Sequence, residues 1–294
     1  MNKPELIDPR TRFKTDGFDE KEQSTPALQS EMVYRPDCGE KSYEGTGRLK
    51  DRNALVTGGD SGIGRAAAIA FAREGANVAI QFYPGEEPDA NEVKEYIEEA
   101  GGKALLLPYD LRDEHAATEI VEKTVEAFGQ LDILVLNAAQ QIAQKTLEDL
   151  SMEQIKDTFQ VNIISMYESV KAAEKHLPAG SSIITTTSVQ ASGPSPHLLD
   201  YAATNAAISN LSKNLAEYFG EKGIRVNSVQ PGPIWTPLQL DGGQLPDKIK
   251  EFGQNTYLGR AGQPVELAEV YVYLASNEAS FVTGSIFEVS GGRS

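Results

Sequence analysis

From Asn53 onward the chain repeats one pattern: a short apolar run, a turn, then an amphipathic helical stretch. Asn53–Thr57 is the first run, and Val78–Phe82, Ala104–Leu107, Ile133–Leu136, Ile183–Thr186, Ile224–Val229 and Ile286–Val289 follow. Runs this short, bounded by glycine and polar clusters, read as strands. The periodicity between them predicts helices over Ile63–Glu74, through Ile97, over Glu114–Phe128 and along a stretch ending near His176. In the first of these, Ile63, Ala67, Ala70 and Phe71 share one face, and small residues let it lie close to a sheet. Seven strands with helical crossovers predict a single α/β domain, doubly wound on a seven-stranded parallel sheet covered on both faces. Ligands of such sheets bind beyond the carboxyl ends of the strands, so the loops there carry the chemistry.

Composition narrows the class. The 294 residues suffice for one large core and do not demand two domains. Twenty-seven basic against 43 acidic residues give a net charge of -16, which argues against DNA, RNA or an anionic membrane as partner. Cys38 is the one cysteine, so no internal disulfide can form. No apolar run reaches membrane-spanning length, and Met1–Glu5 lacks a signal-peptide apolar region, so the cytoplasm is the expected location.

Residues 1–48 differ from the rest, mixing Pro4, Pro9, Pro26 and Pro36 with charges and showing no period. Composition alone favours a disordered tail. Leu28, Met32, Val33 and Tyr34 favour an arm docked on the globular domain of residues 49–294, because they would otherwise sit in water.

The loops are informative. Gly58-Gly59-Asp60-Ser61-Gly62-Ile63-Gly64 joins the first strand to the first helix. Glycines there let backbone approach a pyrophosphate, and the helix start offers amide donors. Further along, Tyr201 and position 205 lie four apart on a helix and so share a face. Position 205 is Asn, which is neutral. His115 and His176 read as solvated helix residues, and no cluster suggests a metal.

Taken together, these motifs resemble the short-chain dehydrogenase/reductase family from about Leu49 to the C-terminus. Gly58, Gly62 and Gly64 match its glycine motif, Asp110-Leu111 its adenine-side pair, and Asn137-Ala138-Ala139 most of its Asn-Asn-Ala-Gly motif, with Leu136 in place of the first Asn. Val161-Asn162 matches the helix asparagine, Ser188 stands at the family's spacing before Tyr201, and Pro231-Gly232-Pro233-Ile234 with Thr236 resembles its nicotinamide-side loop. The arm, with Pro36-Asp37-Cys38-Gly39-Glu40-Lys41, is similar to a bacterial extended-arm subgroup near general-stress and aldehyde-reductase-like members.

The resemblance implies a Rossmann-type fold and hydride transfer between a nicotinamide and a small carbonyl or alcohol. Ser188, Tyr201, Asn162 and position 205 would be its catalytic set: Tyr201 exchanging the substrate oxygen's proton, Ser188 polarising that oxygen, Asn162 positioning a relay water. It implies cofactor contacts from Gly58, Asp60, Ser61, Gly62, Ile63, Gly64, Phe82, Asp110, Leu111, Asn137, Ala138, Tyr201, Asn205, Pro231, Gly232, Ile234 and Thr236. Gln190, His197 and Trp235 would face the substrate, and residues Trp235 to Tyr257 would form a lid, its Gly242-Gly243 and Pro246 suggesting motion. It also implies a homotetramer built through the helices carrying Asn162 and Tyr201.

The family's lysine grips the nicotinamide ribose and lowers the tyrosine pKa. Asn205 can still hydrogen-bond a ribose hydroxyl, but it supplies no charge, so a weakened enzyme is expected. A non-catalytic nucleotide sensor or an assembly protein is the alternative. For the nucleotide, the second strand ends Gln81-Phe82-Tyr83 without a carboxylate. That tilts the choice between NADP and NAD toward NADP, with Arg65 either reaching a 2′-phosphate or forming a surface ion pair.

Overall fold

The computed structural model describes residues 6–292; the first five residues of the expected arm lie outside that range. β1 (Asn53–Thr57), β2 (Asn77–Phe82), β3 (Ala104–Pro108), β4 (Ile133–Leu136), β5 (Ser182–Thr186), β6 (Arg225–Pro231) and β7 (Ile286–Val289) form one sheet. Their order is β3-β2-β1-β4-β5-β6-β7, and every pairing is parallel. β1 lies inside the sheet, with Ala54 beside Val78 on one side and Ile133 on the other. All five of its residues are buried, as a strand covered on both faces requires. The order reverses between β1 and β4, so a crevice opens beyond the ends of those two strands.

Helices cover both faces. On one side α1 (Gly62–Arg73) packs between the sheet, α2 (Glu87–Glu99) and α7 (Val265–Ala275). α1 is buried nearly all round, well beyond the single face its periodicity predicts, because its alanines admit neighbours on every side. α7 is a helix that the sequence pattern conceals. Leu267, Ala268, Tyr271, Val272, Leu274 and Ala275 are all buried, so apolar residues crowd it too densely to show a period. On the other face α3 (Ala116–Phe128), α5 (Ser165–Ala173) and α6 (Leu199–Gly220) close a second core around Leu55, Leu134, Ile183 and Phe219. α5 continues α4 (Met152–Phe159) through a wider turn, the π-helical segment Gln160–Ile164. Such bulges recur at functional sites.

The arm is irregular but docked. Phe18 stacks on Trp235 at 3.6 Å between ring centroids and 3° between planes. With Ala27, Met32, Leu240, Ile249 and Ala261 they make a small third core. Trp235 Nε1 donates to the Tyr34 carbonyl oxygen at 2.8 Å. Of the four apolar arm residues read from sequence, Met32 is buried and Tyr34 packs against this cluster, whereas Val33 faces solvent. Leu49 is already in the main core, its amide bonded to the Glu74 carbonyl oxygen. Among the described residues no helix is long and apolar enough to cross a membrane.

Candidate active site

The glycine loop shows why its residue types are needed. A Cβ at Gly64 would lie 1.9 Å from the Gly58 carbonyl oxygen, so any side chain there would push the helix off the loop. Gly62 has φ +52°, and its added Cβ would meet Thr236 Cγ2 at 2.8 Å. The loop is stapled in place by Gln81, whose Oε1 accepts from Gly58 N at 3.1 Å while its Nε2 donates to the Tyr109 carbonyl oxygen. Asn137 Nδ2 donates to the carbonyl oxygens of Thr57 and Gly58, tying the end of β4 to the same loop. A narrow backbone cradle at a helix start, with first-turn amides that lack intrahelical acceptors, fits a pyrophosphate.

This cradle is one wall of a cavity of about 890 Å³, within the range of ligand sites. The cavity gathers most of the residues singled out in the sequence: Gly58, Asp60, Ser61, Gly62 and Ile63, Asp110 and Leu111, Asn137 and Ala138. Asn162, Ser188, Gln190, His197, Tyr201, Asn205, Pro231, Gly232, Ile234 and Thr236 also line it.

Four expectations need correction. Trp235 does not face the cavity; it is fully buried under Phe18 and anchors the arm. Phe82 is also core. Side chains alternate along β2, so Gln81 and Tyr83 border the cavity while Phe82 points into the apolar layer. Gly64 serves packing behind the loop and does not line the cavity. Arg65, read as either a 2′-phosphate contact or a surface ion pair, forms ion pairs with Glu40 and Glu92, each at 2.9 Å, but they are buried, since Arg65 is 1% exposed. The lid segment is also more tied down than its glycines suggest. A Cβ at Gly243 would sit 2.1 Å from the Leu238 carbonyl oxygen, so this glycine makes a tight turn.

At the far end of the cavity, Tyr201 on α6 faces Ser188 at the end of β5. Ser188 Oγ accepts from Gln190 N at 3.2 Å. Burial raises the Tyr201 pKa above that of a free phenol, while hydrogen bonding toward Ser188 and Asn205 pulls it down. Asn205 is 2% exposed, and its Nδ2 donates to the Tyr201 carbonyl oxygen at 2.9 Å, one turn back. No cation stands beside the phenol among these partners. Asn162 sits in the π-helical turn with its side chain committed: Oδ1 accepts from Gln140 N at 2.7 Å, and Nδ2 donates to the Gln140 carbonyl oxygen and to Thr204 Oγ1. It therefore locks the loop after β4 to α6. His197 and Gln190 border the cavity, with His197 Nδ1 3.1 Å from the Gln144 carbonyl oxygen and Gln190 Oε1 accepting from Ser195 N.

At the near end lie residues the sequence reading missed. Tyr83 and Arg112 clamp the rim, the guanidinium 5.4 Å over the ring and bonded to the phenol oxygen and to Asp110. Glu86, Asp241 and the arm residues Thr25, Pro26 and Ala27 line the same end. Glu86 had a signal, a carboxylate about twenty residues beyond the glycines, but shifted past the strand end where it was sought. The arm residues had none, since a loop far away in sequence brings them there. Among the described residues no cluster of His, Cys, Asp or Glu can hold a metal.

The family pattern described as "Enoyl-(Acyl carrier protein) reductase" matches residues 58–294. The chain is 58% identical to the "Uncharacterized oxidoreductase YghA" of Escherichia coli (strain K12), over 98% of each protein. It is 40% identical to "NADPH-dependent aldehyde reductase 1, chloroplastic" of Arabidopsis thaliana, over 93% of this chain and 96% of that one. A short chain dehydrogenase from Burkholderia cenocepacia J2315, solved in complex with NADP, superposes with a TM-score of 0.78 at 32% identity, covering 83% of this chain and 98% of that one. A sheet of this order, a glycine cradle and a serine–tyrosine pair in one cavity agree with those likenesses: the chain belongs to the short-chain dehydrogenase/reductase family of oxidoreductases.

Proposed function

We propose that the protein transfers hydride between a nicotinamide dinucleotide and a small carbonyl or alcohol, with Tyr201 and Ser188 handling the substrate oxygen. The observation that carries this reading is the convergence of the glycine cradle and the Ser188–Tyr201 pair on one continuous cavity. The bound dinucleotide supplies the hydride donor or acceptor. Tyr201, kept protonated by burial, donates to the oxygen of a carbonyl being reduced, and Ser188 hydrogen-bonds the same oxygen. Asn205 hydrogen-bonds but adds no positive charge, so the phenolate needed for alcohol oxidation is disfavoured and reduction is the easier direction. Asn162 acts on this set by position, fixing α6 against the loop after β4.

NADP is supported as nucleotide by the relatives that use or hold it. One of them is named an aldehyde reductase, which favours an aldehyde-like substrate. Exposed Phe159, Ile164 and Tyr167 on the helix that carries Asn162, and Tyr218 on α6, support a homotetramer joined through these helices; the cytoplasm is the location proposed for it. The arm of residues 1–48 is read as a wall of the site. Removing residues 1–40 is expected to weaken nucleotide binding; unchanged binding and mass in solution would make it a dispensable tail. A nucleotide sensor without activity rests on Asn205 alone, and the intact Ser188 and Tyr201 weigh against it.

The test is a panel of small aldehydes and ketones assayed with NADPH and NADH, on this chain and on Asn205→Lys. Turnover that rises by about a hundredfold in the variant is expected, the low end of the range of tuned acid–base catalysis. Nucleotide binding with no turnover in either protein would favour the sensor.

A further inference from the structure

The helix that follows the glycine loop is capped by the arm. Ser61, at the N-cap of α1, makes no side-chain bond to the helix amides. The Gly62 amide instead donates to Oε1 of Gln29 at 2.9 Å, an acceptor 33 residues upstream. The Gly62 carbonyl oxygen accepts from a second arm residue, Cys38, whose Sγ lies 3.5 Å away. Gln29 Nε2 donates to the same sulfur at 3.4 Å, closing a ring of contacts around one residue of the loop. Gln29 and Cys38 are fully buried, and burial pushes the thiol pKa up, keeping its proton in place. Amides in the first turn lack intrahelical acceptors and are ordinarily capped by adjoining residues. Here a distant segment does it.

These contacts lie behind the loop. Gly62 and Ile63 border the cavity, whereas Gln29 and Cys38 do not. On another side Gly62 faces Thr236, whose Cγ2 would be 2.8 Å from an added Cβ. The loop is therefore held between the arm and the segment after β6. At this point the arm is fixed independently of its Phe18–Trp235 stack. Asp89 on α2 accepts from the Gln29 and Ser30 amides. Along α1, Arg65 pairs with Glu40, and Arg73 donates to the carbonyl oxygens of Glu40 and Tyr43.

We propose that Gln29 is a positioning residue for the nucleotide: it holds the Gly62 peptide from behind, so that the loop presents its remaining amides to a pyrophosphate. This rests on the dinucleotide reading above and deepens it. Gln29 touches no nucleotide and acts through Gly62. The cradle is too narrow to tolerate a shift, since Gly58 and Gly64 already approach so closely that a Cβ does not fit between them. Without Gln29, a buried Gly62 amide has no acceptor, and satisfying it requires the loop to turn.

The test replaces Gln29 by Met, which has similar bulk and no amide oxygen. Gln29→Met is expected to weaken NADPH and NADH alike by about tenfold in calorimetry, the upper range of one lost hydrogen bond. The carbonyl KM at saturating nucleotide should stay as in the parent. So should the fluorescence of Trp235, the one tryptophan, because the arm remains docked on it. Phe18→Leu is the converse variant. It removes the stack on Trp235, so fluorescence should change while nucleotide binding stays within about twofold of the parent, as independent sites behave. Unchanged nucleotide binding in Gln29→Met overturns the proposal, and so does an equal loss in Phe18→Leu. A loss in Gln29→Met that comes with altered Trp235 fluorescence makes Gln29 an arm anchor only and also overturns it. In the parent, the Gly62 amide should exchange slowly with deuterium before nucleotide is added; free exchange there overturns the proposal without any variant. Failure of both nucleotides to bind the parent overturns the dinucleotide reading itself.

Discussion

At the glycine-loop end of the cavity, Asp60, Glu86 and Asp241 gather carboxyls close enough to act on one another; at the far end, Tyr201 stands beside the neutral Asn205. The two ends belong to one cavity and one sheet edge, yet they depart from the expected chemistry in opposite ways. One gathers several carboxyls. The other lacks the charge that would make a tyrosine acidic. On the proposed reading, the sheet fixes where groups stand, while single side chains at those places set affinity and rate separately.

That separation can be broken, most sharply at the catalytic end. Tyr201→Phe is expected to lower carbonyl reduction by on the order of 10² to 10⁴, while changing the dissociation constant for reduced nucleotide by no more than about fivefold, the scale of one lost hydrogen bond. A matching loss of nucleotide binding in a titration would show that the two ends are not separable.

The pH dependence of the reverse reaction should be the next largest effect. Because burial raises the Tyr201 pKa, the protonated phenol persists through the neutral range and the phenolate forms only above the ordinary value of about 10. Reduction should therefore hold across neutral pH and decline only in strong alkali, while alcohol oxidation climbs as pH rises. Asn205→Lys should move that oxidation limb to lower pH, and an unmoved limb in pH–rate profiles would count against the missing charge as its cause.

Smaller effects sharpen the nucleotide end. Gly64→Ala forces a Cβ against the Gly58 carbonyl and should weaken both nucleotides by about tenfold, the scale of a steric misfit of 1–2 kcal/mol. Equal binding of either nucleotide in calorimetry would remove the cradle from the argument. Thr25→Ala frees Asp241 from the arm and should change the NADPH dissociation constant by about threefold, as a partly screened charge does. No change would mean that the arm only covers this end.

The legibility of the two ends also differed. Gly58 and Gly62 could be read because a close backbone approach is a local necessity visible within a few residues, whereas Ser188 and Tyr201 were read through the resemblance of their spacing to the family's. Phe82 was misplaced because strand alternation decides which of three neighbouring residues borders the cavity, and only the observed pairing of β2 with β1 fixes that phase. Trp235 was read as substrate wall because its position in the loop after β6 says nothing of Phe18, which covers it from over two hundred residues away. α7 escaped because a helix apolar on most sides has no period to find.

What the sequence by itself determined was the alternation of strand and helix, hence the parallel sheet, and the residue types at the strand ends. Those are short-range facts, set by side-chain period and backbone freedom. Tertiary structure alone decided which charges meet. Glu86, Asp241 and Thr25 come together from the loop after β2, the segment after β6 and the arm, and Arg65 is withdrawn by Glu40 and Glu92. Electrostatic interactions fall off with distance and depend on burial, not on separation along the chain, so the character of each end of the cavity was settled only when the chain closed around it.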